Sequence, residues 1–325
     1  MNWKNSSAEY NSMEKKKVLA VVGPTASGKS ALAVELAKRH CGEIISCDSM
    51  QIYKHLSIAT AKPTPEEMQG VPHHFIDFLE PSENFSVAEY VKLAAEKVEE
   101  ITRRGKLPIV CGGTGLYFSS LIDGVRFSQA GSDEAYRKHL EQRAQTEGAQ
   151  ALLEELREYD AEAAQSLHPN NLKRIIRAME HYKLTGMTIT EQNRRSRPES
   201  AAYDALVFAI GFHDRQKLYD RINARVDRML ANGLEQEARW YFAQQGFGTA
   251  SAAIGYKELK AYFDGSCSLE QAAENLKKET RHYAKRQLTW FKRDERIHWL
   301  YADDESEGSL LEQAERIIKK ESFTV

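Results

Sequence analysis

Short apolar runs, rich in β-branched residues and each ending on a turn residue, recur through the first 125 positions and again near position 205. Val18–Val22, Glu43–Cys47, Leu107–Cys111 and Ala205–Ile210 have this form, which predicts strands buried on both faces. Between them apolar positions fall three and four apart, predicting a helix over Ala31–Arg39. A second helix starts at the Ser86…Glu89 capping box and closes at Gly105. His73–Leu79 is a further strand candidate, and Ala59–Pro65 is a loop because Pro63 and Pro65 break both kinds of ladder. Strand and helix alternate, as in a doubly wound parallel sheet flanked by helices.

The pattern changes after Gly124. Helical spacing without strands predicts helices over about 133–146, 149–158, 160–166 and 171–184, the last capped at Asn170 and stopped by Gly186. Beyond Ala205–Ile210, helices are predicted over about 215–232, 234–245, 253–263 and 269–293, then an edge strand at Arg296–Tyr301 and a closing helix. The expected organisation is an α/β core over 15–127 and 201–325, with an all-helical insertion over 128–200; residues 1–14 read as a frayed tail.

Composition narrows the classes. The formal net charge of −2 gives no global basic field for nucleic acid, so any such surface is local. Lys173, Arg174, Arg177, Lys183, Arg194, Arg195 and Arg197 form one local surface, opposed only by Glu180 and Glu191. Lys277, Lys278, Arg281, Lys285, Arg286, Lys292 and Arg293, interleaved with Tyr283, form another. The four cysteines have no C-x-x-C or metal-finger spacing, and no stretch has the length of a signal core or membrane span. A cytoplasmic protein is expected.

The chemistry starts at Gly23-Pro24-Thr25-Ala26-Ser27-Gly28-Lys29-Ser30, which follows a strand, precedes a helix and matches the phosphate-loop pattern. Loop N–H groups and the helix dipole converge there on an anion; Lys29 would reach the outer phosphate and Ser30 would ligate Mg²⁺. Phosphoryl transfer also asks for a second carboxylate at a strand end. Leu107–Cys111 runs instead into Gly112-Gly113-Thr114-Gly115, and Asp214 lies two residues into a turn. Asp48 remains, on the rim where open α/β sheets bind ligands; taken alone it reads first as a turn cap. His73 and His74 read as core or surface histidines, Asp303-Asp304 as linker, and Trp290, Phe291 and Trp299 as core.

The phosphate loop together with Asp48-Ser49-Met50-Gln51-Ile52-Tyr53, Thr60-Ala61-Lys62-Pro63, Gly112-Gly113-Thr114-Gly115-Leu116-Tyr117, His168-Pro169-Asn170, Ile254-Gly255-Tyr256-Lys257-Glu258 and Tyr283–Trp290 resembles the tRNA dimethylallyltransferases, in their order, over about residues 17–300. One departure is Ser251-Ala252-Ala253, where that family often has a glutamine before the Ile-Gly-Tyr run. The resemblance implies a P-loop kinase-like core and transfer of a dimethylallyl group from its diphosphate to N6 of adenine 37 in tRNA. It implies Asp48 as general base, and Lys29, Mg²⁺ on Ser30, Thr114 and Arg225 at the departing diphosphate, with Arg221 the nearby alternative to Arg225. It places tRNA contacts at Asp48, Ser49, Met50, Gln51, Thr114, Arg137, Lys173, Arg174, Ile175, Ile176, Arg177, Gly255, Tyr256 and Lys257. The chain is expected to be a monomer. A small-molecule or nucleoside kinase, and a non-catalytic RNA-binding P-loop protein, are the other classes the residues allow.

Overall fold

A computed structural model of the chain describes residues 15–127, 131–196, 198, 200–244 and 247–323. The expected tail at 1–14 and Arg197 of the basic stretch lie outside them. The chain forms β1 (Lys17–Val22), α1 (Lys29–Arg39), β2 (Gly42–Ser46), α2 (Pro65–Met68), β3 (His73–His74), α3 (Val87–Arg103), β4 (Leu107–Gly112) and α4 (Gly115–Ile122). Five helices follow: α5 (Glu134–Thr146), α6 (Ala149–Tyr159), α7 (Ala161–Ser166), α8 (Leu172–Thr185) and α9 (Ile189–Ser196). Then come β5 (Asp204–Gly211), α10 (Arg215–Ala231), α11 (Leu234–Ala243), α12 (Lys260–Phe263), α13 (Leu269–Phe291), β6 (Ile297–Tyr301) and α14 (Leu310–Lys320).

The six strands make one parallel sheet in the order β3-β2-β4-β1-β5-β6. Val18, Ala20 and Val22 of β1 join the core on one face, while Leu19 and Val21 join the core on the other. Alternation across the pleat thus explains a wholly apolar run. Parallel pairing brings the ends of β1, β2, β4 and β5 to one rim, and β1 lies where the strand order reverses.

The described chain divides into two compact units, residues up to Ile122 together with those from Ala202, and Asp123–Ala201. The second is helical, with Leu140, Leu152, Leu156, Ile175, Ile176 and Met179 in its core. Asp160 holds it internally, capping α7 at Ala163 N–H (3.1 Å) and accepting from the Thr190 hydroxyl (2.6 Å).

Five expectations change. The strand at 73–79 stops after two residues because Phe75 (φ 63°) and Asp77 (φ 58°) are left-handed and cannot continue a ladder. The helix at 253–263 is broken at Gly255 (φ 122°): only the 3₁₀ turn Lys257–Leu259 and α12 remain of it, and a further 3₁₀ turn, Thr249–Ala252, precedes it. Gly115-Leu116-Tyr117 opens a helix, and Arg194 and Arg195 lie on α9 instead of a loop. The cap of α8 is Asn171, with no side-chain bond. Among the described residues no helix is long and apolar enough to cross a membrane.

Away from that rim, buried Glu43 of β2 accepts from Arg104 (2.6 Å) and Lys106 (2.8 Å) and meets His74 Nε2 at 2.8 Å. Burial alone would raise its pKa; the Lys106 and His74 hydrogen bonds and the Arg104 charge reverse this and hold it at about 2, against 4.5 ordinarily. A depressed carboxylate stabilises the fold above its unfolded pKa, and the contribution is lost as pH falls from about 4.5 towards 2. Glu43→Gln is expected to cost about 2 kcal/mol at neutral pH, below the usual ~3–5 for a broken buried pair because Arg104 and Lys106 stay partly hydrated. Urea unfolding across pH checks this: the variant should lose less stability than the parent chain between pH 5 and 2, and an unchanged acid slope would refute it.

Candidate active site

The phosphate loop leaves β1 and enters α1 through Gly28, whose φ of 101° a side chain would disfavour. Three groups hold it. Lys29 Nζ donates to the Pro24 carbonyl (3.2 Å). Arg221 Nε donates to the Ala26 carbonyl (2.8 Å), its guanidinium 5.8 Å from the Phe212 ring centre. Gln287 of α13, buried, accepts from Thr25 N–H and donates to the Gly113 carbonyl, both at 2.9 Å. The Ser27 hydroxyl is buried with no hydrogen-bond partner among the described residues.

The neighbouring wall is set by how closely β2 and β4 end together. Cys47 N–H donates to the Cys111 carbonyl (2.7 Å), and Thr114 N–H to the Cys47 carbonyl (3.1 Å). A Cβ on Gly112 would stand 2.1 Å from the Cys47 oxygen, so glycine is required there. Asp48 follows directly. Its Oδ1 accepts from Met50 N–H (2.9 Å) and Gln51 N–H (3.3 Å), while no described group donates to Oδ2. One oxygen therefore caps the turn and the other stays available.

These elements enclose a cavity of about 320 Å³. Lys29, Ser30, Arg225 and Asp48 line it with the apolar Met50, Ile76, Val226, Met229, Ile254 and Leu276. Burial lowers the Lys29 pKa, with Arg225 repelling its charge and Cys111 and Asp48 opposing the shift. Burial likewise lowers that of Arg225, against the attraction of Asp48. Of the two candidate arginines, Arg225 lines the cavity and Arg221 braces the loop.

Other expected residues divide sharply. Thr114 does not line the cavity; its Oγ1 accepts from Ser49 N–H (3.1 Å) and so fixes the Asp48 loop. Both amide hydrogens of Gln51 go to the Thr60 (3.2 Å) and Ala61 (3.1 Å) carbonyls. Ser49, Met50 and Gly255 line the cavity. Tyr256, expected at RNA, is buried against Tyr241 with ring centres 4.3 Å apart, whereas Lys257 is exposed. Ile175 and Ile176 point into the helical unit's core, because the apolar stripe of α8 is what folds that unit. Arg137 donates to buried Glu180 (2.9 Å). Lys173, Arg174 and Arg177 are exposed and meet no described carboxylate, unlike Lys183, Arg194 and Arg195, which pair with Asp133, Glu162 and Glu191.

Sequence reasoning gave no site role to several residues that line the cavity. His73, assigned to core or surface, lines it, its Nδ1 2.8 Å from the Val71 carbonyl; burial lowers its pKa. Thr280, Tyr283 and Gln287 line it from α13 at three- and four-residue spacing, a polar stripe that could have been read as one face. Burial raises the Tyr283 pKa, as does the Asp48 charge. Asp303 is no linker: it accepts from His213 N–H and Asp214 N–H (both 2.9 Å) beyond β5. Phe291 is core, but Trp290 is partly exposed and donates to the Ser119 hydroxyl (3.0 Å).

For a divalent cation, the cavity offers the Ser30 hydroxyl, a hard oxygen donor. Among the described residues no cluster of three His, Cys, Asp or Glu builds a protein cage. Such a site fits Mg²⁺ held largely by a substrate's phosphates and water.

Residues 51–294 match the IPP transferase family. A tRNA dimethylallyltransferase of Caldanaerobacter subterraneus is 48% identical over 293 residues, 88% of this chain and 92% of the relative. The crystal structure of a tRNA isopentenylpyrophosphate transferase from Bacillus halodurans superposes with a TM-score of 0.69 at 43% identity, covering 94% of this chain and 97% of that one. A eukaryotic dimethylallyltransferase acting on tRNA superposes with a TM-score of 0.78 at 30% identity, over 93% of this chain and 78% of that one.

Proposed function

We propose that this chain, which belongs to the IPP transferase family, transfers a dimethylallyl group from dimethylallyl diphosphate to N6 of adenine 37 in tRNA. One observation carries the reading: Lys29 and Arg225 share a single apolar-walled cavity with a carboxylate whose second oxygen is unengaged. Cations suit a diphosphate, the apolar wall suits a prenyl tail, and the carboxylate suits an acceptor that must lose a proton.

The allylic carbon–oxygen bond breaks and its electron pair leaves with the diphosphate. The N6 lone pair forms the new carbon–nitrogen bond, and the N6 proton passes to Asp48. Lys29 and Arg225 stabilise the charge growing on the leaving oxygen, where preorganised donors act most strongly. Mg²⁺ bound through the diphosphate and Ser30 would neutralise further charge there. The adenine must leave the anticodon stack, at a cost of a few kcal/mol. Phosphate contacts from Lys173, Arg174 and Arg177, at the positive end of α8, offset this. The protein works as a cytoplasmic monomer.

The test incubates the chain with unmodified tRNA, labelled dimethylallyl diphosphate and ATP. Label is expected in the RNA with ATP intact; ATP consumption would indicate a kinase, and unlabelled RNA would overturn the reading. Arg174→Ala is expected to weaken tRNA binding and reduce the slope of log affinity against log salt by about one, with donor affinity unchanged. Titration at several salt concentrations reads this directly, and an unchanged slope would make that face merely solvated.

A further inference from the structure

The cavity wall farther along the chain from Asp48 is assembled from two segments that a single carboxylate joins. Residues 57–61 form a loop with left-handed backbone shortly before it at His55 (φ 65°) and at its last residue, Ala61 (φ 46°). Non-glycine residues persist in that region only where their surroundings impose it. Ala59, Thr60 and Ala61 of this loop line the cavity, facing Ala253, Ile254 and Gly255. Glu237, on α11 and outside the cavity, reaches both segments. Its Oε2 accepts from Ser57 N–H and Ile58 N–H, each at 2.8 Å. Its Oε1 accepts from Ala59 N–H (2.9 Å) and from the buried Tyr256 hydroxyl (2.8 Å). Gly255 packs so closely on this loop that a Cβ there would lie 2.8 Å from the Ala59 methyl.

We propose that Glu237 is a positioning residue for the RNA acceptor: by binding the 57–61 loop to the 255–256 turn it sets the wall against which the target base is placed. The inference rests on the proposed transfer to RNA. Four donors on one ionised carboxylate use its whole accepting capacity. A glutamine in its place accepts only through its carbonyl and confronts the remaining N–H groups with its own NH₂ donors, leaving at least two of the four unpaired. The phosphate loop hangs instead on Gln287 and Arg221, which Glu237 does not touch. Loosening this wall therefore acts on the acceptor and spares the phosphate loop that holds the donor's diphosphate.

Steady-state transfer kinetics with separate tRNA and dimethylallyl diphosphate titrations test this. Glu237→Gln is expected to raise KM for tRNA about tenfold, leaving KM for the donor within twofold and kcat within threefold. Tyr256→Phe removes one of the four bonds and keeps the ring stack on Tyr241, so KM for tRNA should rise two- to threefold with the donor KM fixed. Thermal melts of each variant accompany the kinetics. Equal changes in both KM values, or an unchanged tRNA KM, would overturn the assignment; if Glu237→Gln does not fold, Tyr256→Phe decides alone. Failure of the parent chain to label tRNA is a separate outcome that removes the transfer reading itself.

Discussion

Asp48→Asn is expected to slow dimethylallyl transfer by about 10²–10⁴-fold while tRNA and donor affinities stay within threefold. The N6 lone pair of adenine is delocalised into the ring, so the amine attacks well only if its proton is accepted as the new bond forms. Asp48 commits one oxygen to the turn, and in the proposed transfer the other takes this task. Asparagine keeps a carbonyl oxygen for the Met50 and Gln51 N–H groups and replaces the proton acceptor with a donor. The local fold is therefore retained and only the chemistry is lost. Single-turnover transfer with saturating labelled donor measures it without interference from product release. A variant within tenfold of the parent rate would show that another group takes the proton, with His73, whose pKa burial lowers and which lines the same cavity, the next to substitute.

How far the site could be read beforehand depended on whether a residue's partner is near in sequence. The strands buried on both faces were legible because the pleat puts every second side chain into one of two cores, as in β1. The phosphate loop was legible because its spacing after a strand locates it, whereas Asp48 and Arg225 were singled out by the family resemblance, Asp48 alone reading as a turn cap. Gln287 and Glu237 were not legible, because their roles lie in bonds to Thr25 and to Ser57–Ala59, some 262 and 180 residues away in the chain. Tyr256 shows the opposite failure. Its motif suggested an RNA contact, but its ring is stacked in the core and its hydroxyl faces Glu237. His73 was misplaced because nothing local says that a two-residue strand ends at the cavity.

The two arginines of α10 supply the sharpest remaining comparison. Arg225→Ala is expected to lower kcat/KM for dimethylallyl diphosphate by about 10²–10³-fold, the usual consequence of removing one preorganised donor from developing negative charge. Arg221→Ala, one turn away, is expected to cost less than tenfold. The difference follows from what each side chain meets. Arg225 lines the cavity within electrostatic reach of Lys29 and Asp48. Arg221 has its Nε on the Ala26 carbonyl and its guanidinium by Phe212, so it stabilises the loop from behind. Burial already disfavours the Arg225 charge, and a diphosphate relieves that unfavourable state on binding. Inorganic diphosphate should therefore inhibit the Arg225→Ala protein far more weakly than the parent, and the Arg221→Ala protein almost equally. Arg225→Lys restores the charge without the two-pronged donor geometry and should recover only part of the rate. If Arg221→Ala proves the more damaging, the leaving group lies against the phosphate loop's outer side, and the direction of transfer across the cavity is reversed.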